Sequence, residues 1–195
     1  MPRYAFQINH EGTVLSNYAQ IVVDTEVSAE RAPELANVVR AWLVGEQIIE
    51  QEESDSVLSG TGHRPGINYR AAIKLDLDTF LGLGTNGVKF AVGRQVFDAG
   101  GNGIKLKCDA CGVSFEPDDS WSDAVGAWFG GDDLVSFPCP SCGQQALLTE
   151  WRGPWPWGFG NLGIEFWSWP PLSDDFIHAI TRTLGHRTVM VRLHL

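Results

Sequence analysis

LGIEFWSWPPLSDDFIHAITRTLGHRTVMVRLHL, residues 162–195, spells out a strand, a helix and a second strand, each with its own stop signal. Leu162 to Trp169 reads as strand, and Pro170 and Pro171 end it, because proline lacks a ladder N–H and restricts the residue before it. Ser173 then fits the N-cap of a helix whose first turn carries Asp174 and Asp175, where the helix dipole favours negative charge. Leu172 and Ile177 occupy the two hydrophobic-staple positions around that cap. Phe176, Ile180 and Leu184 supply an apolar face, Gly185 fits the left-handed C′ position, and Val189, Val191, Leu193 and Leu195 alternate as a last strand.

The other end of the chain has the same grammar. Tyr4, Phe6 and Ile8 repeat at period two within Pro2 to Ile8, with a turn at Glu11-Gly12, and Ala19, Ile21 and Val23 mark a second strand from Tyr18 to Thr25. Ala32, Leu35, Val39, Trp42 and Ile49 form a helical stripe, which predicts a helix beginning near Glu30 or later, so that Pro33 lies in its first turn. It is expected to end near Glu50, before the polar run Gln51 to Ser56. Ala71, Ile73, Leu75 and Leu77 alternate with Ala72, Lys74, Asp76 and Asp78, and Val88, Phe90, Val92 and Val96 repeat likewise, so two strands joined by the Asn86-Gly87 turn are expected to make a hairpin. Gly82-x-Gly84-x-x-Gly87 matches a dinucleotide fingerprint by letter only, because that motif must open a helix and Val88 to Phe97 reads as strand.

These elements predict an α+β fold: an antiparallel or mixed sheet with two main helices, specifically a ferredoxin-like split βαβ core, interrupted by an insert. The expected division is a core of residues 1–107 and 143–195 around an inserted module of residues 108–142.

All four cysteines of the chain fall in two pairs, Cys108-Asp109-Ala110-Cys111-Gly112 and Cys139-Pro140-Ser141-Cys142-Gly143. Two Cys-x-x-Cys pairs with none to spare read as metal ligands in a reducing compartment, a redox dithiol or an iron site being the alternative. In each pair two sulfurs can converge on one ion, and the following glycine permits the positive φ that the knuckle needs. The segment from Cys108 to Cys142 resembles the zinc ribbons, in which Cys-Pro-x-Cys-Gly is typical of the second knuckle. The resemblance implies one structural Zn2+ held by Cys108, Cys111, Cys139 and Cys142. It implies no particular function, since ribbons serve transcription factors, ribosomal proteins, enzymes and adaptors alike. Within the insert Trp121, Val125 and Trp128 mark a short helix capped near Ser120 and stopped by Gly130-Gly131.

Charge narrows the choice of partner. The chain has a formal net charge of -10, and Asp109, Glu116, Asp118, Asp119, Asp123, Asp132 and Asp133 all lie in the insert, which has no Lys, Arg or His between its outer cysteines. A zinc tetrathiolate adds a further net of about -2. Nucleic acid is therefore disfavoured as a partner despite the ribbon resemblance, and a basic protein is favoured. No basic and apolar leader and no 18-residue apolar run is seen, so a membrane is not expected and the cytoplasm is the expected location.

No set of residues makes a recognisable catalytic constellation. The functional expectation is a zinc-binding, non-enzymatic, protein-binding module of regulatory or immunity type, with an acidic docking insert. The alternatives are an enzyme using the loop from His63 to Arg70 and a nucleic-acid-associated ribbon protein. In that loop His63, Arg64, Tyr69 and Arg70 are the candidate ligand-binding residues, against an ordinary surface loop with local hydrogen bonds. Trp151, Trp155, Trp157, Phe159, Trp167 and Trp169 crowd one segment and are expected to cover the end of the sheet and the root of the ribbon, with an exposed binding platform as the alternative.

Overall fold

The computed structural model describes Gln7–Ile8, Val14–Leu15 and residues 18–58 and 60–195. In chain order its elements are β1 (Gln7–Ile8), β2 (Val14–Leu15), β3 (Tyr18–Asp24), α1 (Ala32–Gly45), β4 (Ile49–Ser54), β5 (Gly62–Pro65) and β6 (Val88–Phe97), then β7 (Leu106–Lys107), β8 (Ser114–Phe115), α2 (Asp119–Phe129), β9 (Ser136–Pro138), β10 (Gln145–Leu147), β11 (Gly158–Trp167), α3 (Asp174–Leu184) and β12 (Thr188–His194). The fold is α+β. Six strands form one sheet in the order β12-β3-β11-β6-β5-β4, with antiparallel neighbours throughout, and β1-β2, β7-β8 and β9-β10 are separate two-stranded pairs. Of the residues read as a first strand and turn, Tyr4, Phe6, Glu11 and Gly12 lie outside the described residues.

The period-two pattern of β3 becomes burial on both sides. Val22 joins the larger core with the apolar faces of α1 (Ala32, Leu35, Val39, Leu43) and α3 (Phe176, Ile180, Leu184), over Leu162, Ile164 and Phe166 of β11. Ile21 and Val23 join a second cluster with Ala91, Trp167 and Val191. Gln20, the polar residue of the pattern, is buried too. Its Nε2 donates to the carbonyls of Trp169 (3.1 Å) and Pro170 (3.0 Å), and its Oε1 accepts from Leu172 N (3.0 Å). One amide thus satisfies three backbone groups around the two prolines, which would otherwise be costly to bury.

The C-terminal reading holds for the helix and its caps, while the strand before it runs Gly158–Trp167, beginning four residues earlier than Leu162 and stopping two before Trp169. Ser173 Oγ accepts from Phe176 N at 3.2 Å, Asp174 opens α3, and Gly185 ends it at φ 72°. Pro33 sits in the first turn of α1, as expected.

Two expectations are corrected. First, α1 stops at Gly45 rather than near Glu50. Ile48 N bonds Leu43 O and Gln47 N bonds Val44 O, both at 2.9 Å, and Gln47 takes φ 57°. This is a Schellman termination with glutamine in the position usually held by glycine, and Leu43 and Ile48 are its buried apolar pair. Ile49 continues the helical spacing by coincidence and begins β4 instead. The polar run after it is an edge strand, whose exposed Glu50, Glu52 and Glu53 deter pairing with another chain.

Second, residues 71–77 are not a strand, so the hairpin with β6 is not formed. Tyr69–Ala72 is a 3-10 turn, Ile73 makes a lone bridge to Leu172, Leu75 and Leu77 are exposed, and Asp76 pairs with Arg70. Of the expected alternating set Ile73 is buried, and Ala72 within the segment and Tyr69 and Phe80 beside it join the same core. The neighbours of β6 are β11 and β5. Among the described residues no helix is long and apolar enough to cross a membrane.

Both helix termination and core packing can be read out by urea unfolding. Gln47→Gly should raise stability by about 0.5–1 kcal/mol by relieving the left-handed conformation. Leu43→Ala, at a fully buried position, should lower it by about 2–5 kcal/mol.

Candidate metal centre

The four cysteines come together because two short hairpins face each other. In the first, Cys108 N bonds Val113 O (2.9 Å) and Gly112 N bonds Cys108 O (2.8 Å), and in the second, Cys139 N bonds Gln144 O and Gly143 N bonds Cys139 O, both at 2.9 Å. Gly112 and Gly143 have φ of 75° and 74°. The two knuckles are therefore the same structure built twice, and the glycines are required at their turns.

All four sulfurs lie within 4.8 Å of one another, and the Cys108–Cys142 and Cys111–Cys139 Sγ distances are both 3.8 Å. Two sulfurs on one tetrahedral ion, with bonds of about 2.3 Å, sit about 3.8 Å apart. A disulfide requires about 2.05 Å. The cluster can hold a metal ion, with Cys108 and Cys139 buried and Cys111 and Cys142 at the surface.

The thiols are electrostatically inequivalent. Burial raises Cys139, but the N–H groups of Cys142 and Ser141 pointing at its sulfur prevail and bring it down to about 7. Cys142 is lowered by the Gln144 N–H, yet the sulfurs of Cys111, Cys139 and Cys108, with burial, push it up to about 12. Four such close sulfurs ionise together only with a cation among them.

An aromatic cluster fixes the knuckles to the sheet. Trp121 and Trp128 on α2 pack with Phe137, Leu148 and Phe159, and Phe115, Trp151 and Trp157 lie against them. The N-cap of α2 is Asp118, two residues before the expected Ser120, whose N it accepts at 3.0 Å. Arg94, the exception to the alternation in β6, reaches across. Its guanidinium lies 3.8 Å from the Trp128 ring centroid, Nε donates to Trp128 O, and Nη2 donates to Asp133, both at 2.7 Å. In the tryptophan segment Trp167 and Trp169 are buried and Trp151 and Trp157 partly so, while Trp155 is 42% exposed.

Three cations meet at the base of the cysteine-bearing segment. Lys107 pairs across a bridge with Arg152, and both line a surface hollow with Lys105 and Asp109, next to Cys108. The stretch from Cys108 to Cys142 is acidic, but the residues on either side of it bring three cations together. No motif encodes this. It follows from strand pairing between residues far apart in sequence.

The loop from His63 to Arg70 does not form one site. His63 is buried and faces a hollow between α1 and β6. Arg64 donates to Asn86 Oδ1 at 3.2 Å, and that buried Asn86 in turn donates to the Phe80 and Leu81 carbonyls. Tyr69 packs edge-on against Phe80 in the core, and Arg70 lies over the outer face of Tyr69 while pairing with Asp76.

Compared with known proteins, the chain matches no protein-family model, no curated protein and no solved structure. The reading of the site accordingly rests on its own geometry.

Cys142→Ala should abolish tight binding of cobalt(II), a tetrahedral probe with a visible thiolate spectrum. In wild type the affinity should fall as pH falls, because each proton added to a thiolate competes with the metal. Chelator competition across pH measures both.

Proposed function

We propose that this is a non-enzymatic, zinc-containing protein-binding module of regulatory or immunity type, working in the cytoplasm, whose acidic insert docks a basic surface on a partner protein. The observation that carries this reading is a groove of about 600 Å³ between Val96 of β6 and the Ser122, Val125 and Phe129 stripe of α2. Phe129 is 58% exposed, and Leu134, just beyond the helix, is 78% exposed. Asp119 lies one helical turn before Ser122, Asp123 directly follows it, and Asp132 comes just after the helix. Apolar side chains with carboxylates nearby on the same helix suit a partner that presents an apolar residue flanked by Lys or Arg.

Zinc is the proposed ion, held by Cys108, Cys111, Cys139 and Cys142. Four thiolates fill the tetrahedron and leave no position for water or substrate, so the metal organises the module and performs no chemistry. The proposed division is a body of residues 1–107 and 143–195 and an inserted ribbon of residues 108–142. The order β12-β3-β11-β6, with α1 and α3 in one apolar core, supports a ferredoxin-like split βαβ body to which β4 and β5 are additions.

Two other readings are weaker. Seven acids in the insert outweigh the Lys105, Lys107 and Arg152 cations at its root, which disfavours nucleic acid. An enzyme built on the loop from His63 to Arg70 is disfavoured by the separation of Arg64, Tyr69 and Arg70 from His63.

Two tests follow. Purified protein should contain about one zinc per chain by elemental analysis, and chelation should remove the near-ultraviolet signal of Trp121 and Trp128. Capture from the native host at low and high salt should retain a basic partner that is lost with salt, and lost again in Phe129→Asp and in Asp119→Lys with Asp123→Lys. Retention unchanged in both variants would sink the docking proposal.

A further inference from the structure

The sheet order places β6 between β11 and β5, but its two sides are not paired alike. On one side β11 matches it from Val88 to Phe97, and on the other β5 meets it at a single pair, His63–Val88. β5 begins only at Gly62. Thr61, which would stand next on that ladder beside Phe90, donates its hydroxyl to Glu53 of β4 at 2.5 Å instead.

In an antiparallel ladder alternate residues turn both N–H and C=O to the same neighbour. Trp167 N donates to Gly87 O at 3.0 Å, so Lys89 and Ala91 are the residues of β6 that bond β11 in the same way. The far side of β11 agrees, since Ser168 N donates to Tyr18 O at 3.0 Å, which directs the backbone groups of Phe166, Ile164 and Leu162 to β3. Val88, Phe90 and Val92 therefore face away from β11. Val88 meets His63, but among the described residues no hydrogen bond takes up the N–H or C=O of Phe90 or Val92. Val92 is 41% exposed, whereas its β11 partner Leu162 is fully buried. These groups border a hollow of about 480 Å³ under α1, lined by Pro33, Ala36, Arg40, Lys89 and Glu53, among others. Among the described residues the Arg40 guanidinium is held only by Asn37 Oδ1, at 3.1 Å.

We propose that this edge captures the C-terminal end of a partner polypeptide by strand addition. The last residues of the partner pair with Phe90 and Val92, alternate side chains lie against Pro33 and Ala36, and the terminal carboxylate meets Arg40. A chain end fits better than a passing segment for two reasons. The regular edge is short, bounded by the Val88 pair and by the bulge at Gly93. Two cations, Arg40 and Lys89, line the hollow against the single carboxylate of Glu53, and a free carboxylate completes that set. This surface shares no lining residue with the groove on α2, so it binds with or without a partner there.

The test is a titration of isotopically labelled protein at neutral pH with acetyl-Thr-Val-Thr-Val, as the free acid and as its C-terminal amide, a sequence chosen for its strand preference. The free acid should shift the amides of Phe90 and Val92 saturably and slow their hydrogen exchange, and the amide should bind at least tenfold more weakly. Arg40→Ala should weaken the acid at least tenfold and level the two peptides. Val92→Pro removes an outward N–H without removing a bond to β11, and should weaken both peptides while the amide signals of β3 and β11 stay in place. Methylating the peptide nitrogens of both threonines, or of both valines, should abolish binding in one case and spare it in the other, since only alternate amides of an added strand face β6. The proposal is overturned if the free acid leaves Phe90 and Val92 unmoved at millimolar concentration, if the amide binds as tightly as the acid, or if both methylated peptides bind like the parent.

Discussion

Everything in this protein hangs on the pairing of β6 with β11. These are the longest strands of the sheet, ten residues each, and they pair from Val88–Phe166 to Phe97–Gly158. A strand of ten residues spans roughly 33 Å. One end of the pair lies in the core beneath α1 and α3, through Val88, Ile164 and Phe166, and the other end carries Val96 and Phe159 into the aromatic cluster of the metal module. The register breaks between Gly160 and Leu162, opposite Gly93 at φ 109°, and such a break bends the strands where the two packing tasks meet. Gly160 is needed there, because a Cβ would stand 2.2 Å from the Asp24 carbonyl oxygen.

What was legible in the sequence was whatever had a local cause. Ser173, Gly185 and the two prolines mark α3 because caps and breakers act within a few residues. The cysteine pairs were legible for the same reason, since each knuckle is a local turn. The end of α1 was not, because its stop signal is a glutamine in a left-handed conformation, a choice the surrounding contacts impose and propensity argues against. Residues 71–77 mimic a strand in period, but Pro171 and Leu172 take up their backbone groups: Lys74 N bonds Pro171 O at 2.8 Å and Ile73 bridges Leu172. Periodicity reports which faces are apolar and is silent on which strand is there to pair.

Charge shows the same limit. Counting along the chain gives an insert with seven acids and no base. Folding places Lys105, Lys107 and Arg152 at its root, because β7 and the segment after β10 run side by side. Most of the carboxylates between the outer cysteines are on α2 and the turn after it.

On the proposed reading, the dependence of residues 108–142 on a metal follows from length. An isolated helix of eleven residues such as α2 is marginal in water. The paired strands around the cysteines are two or three residues each, too short to persist alone. What orders them is closure of the chain between the knuckles, together with burial of Trp121 and Trp128 against Phe159. Arg94 ties the C-terminal end of α2 to β6, so the body supplies a contact that metal loss does not remove directly. One ion pair and one cation–π contact, each of order 1 kcal/mol, cannot replace the closure. The groove between Val96 and Phe129 has one wall on β6 and one on α2, and it exists only while both are in place. On the proposed reading, a partner that docks in this groove therefore reads, in the same contact, whether the cysteines hold an ion.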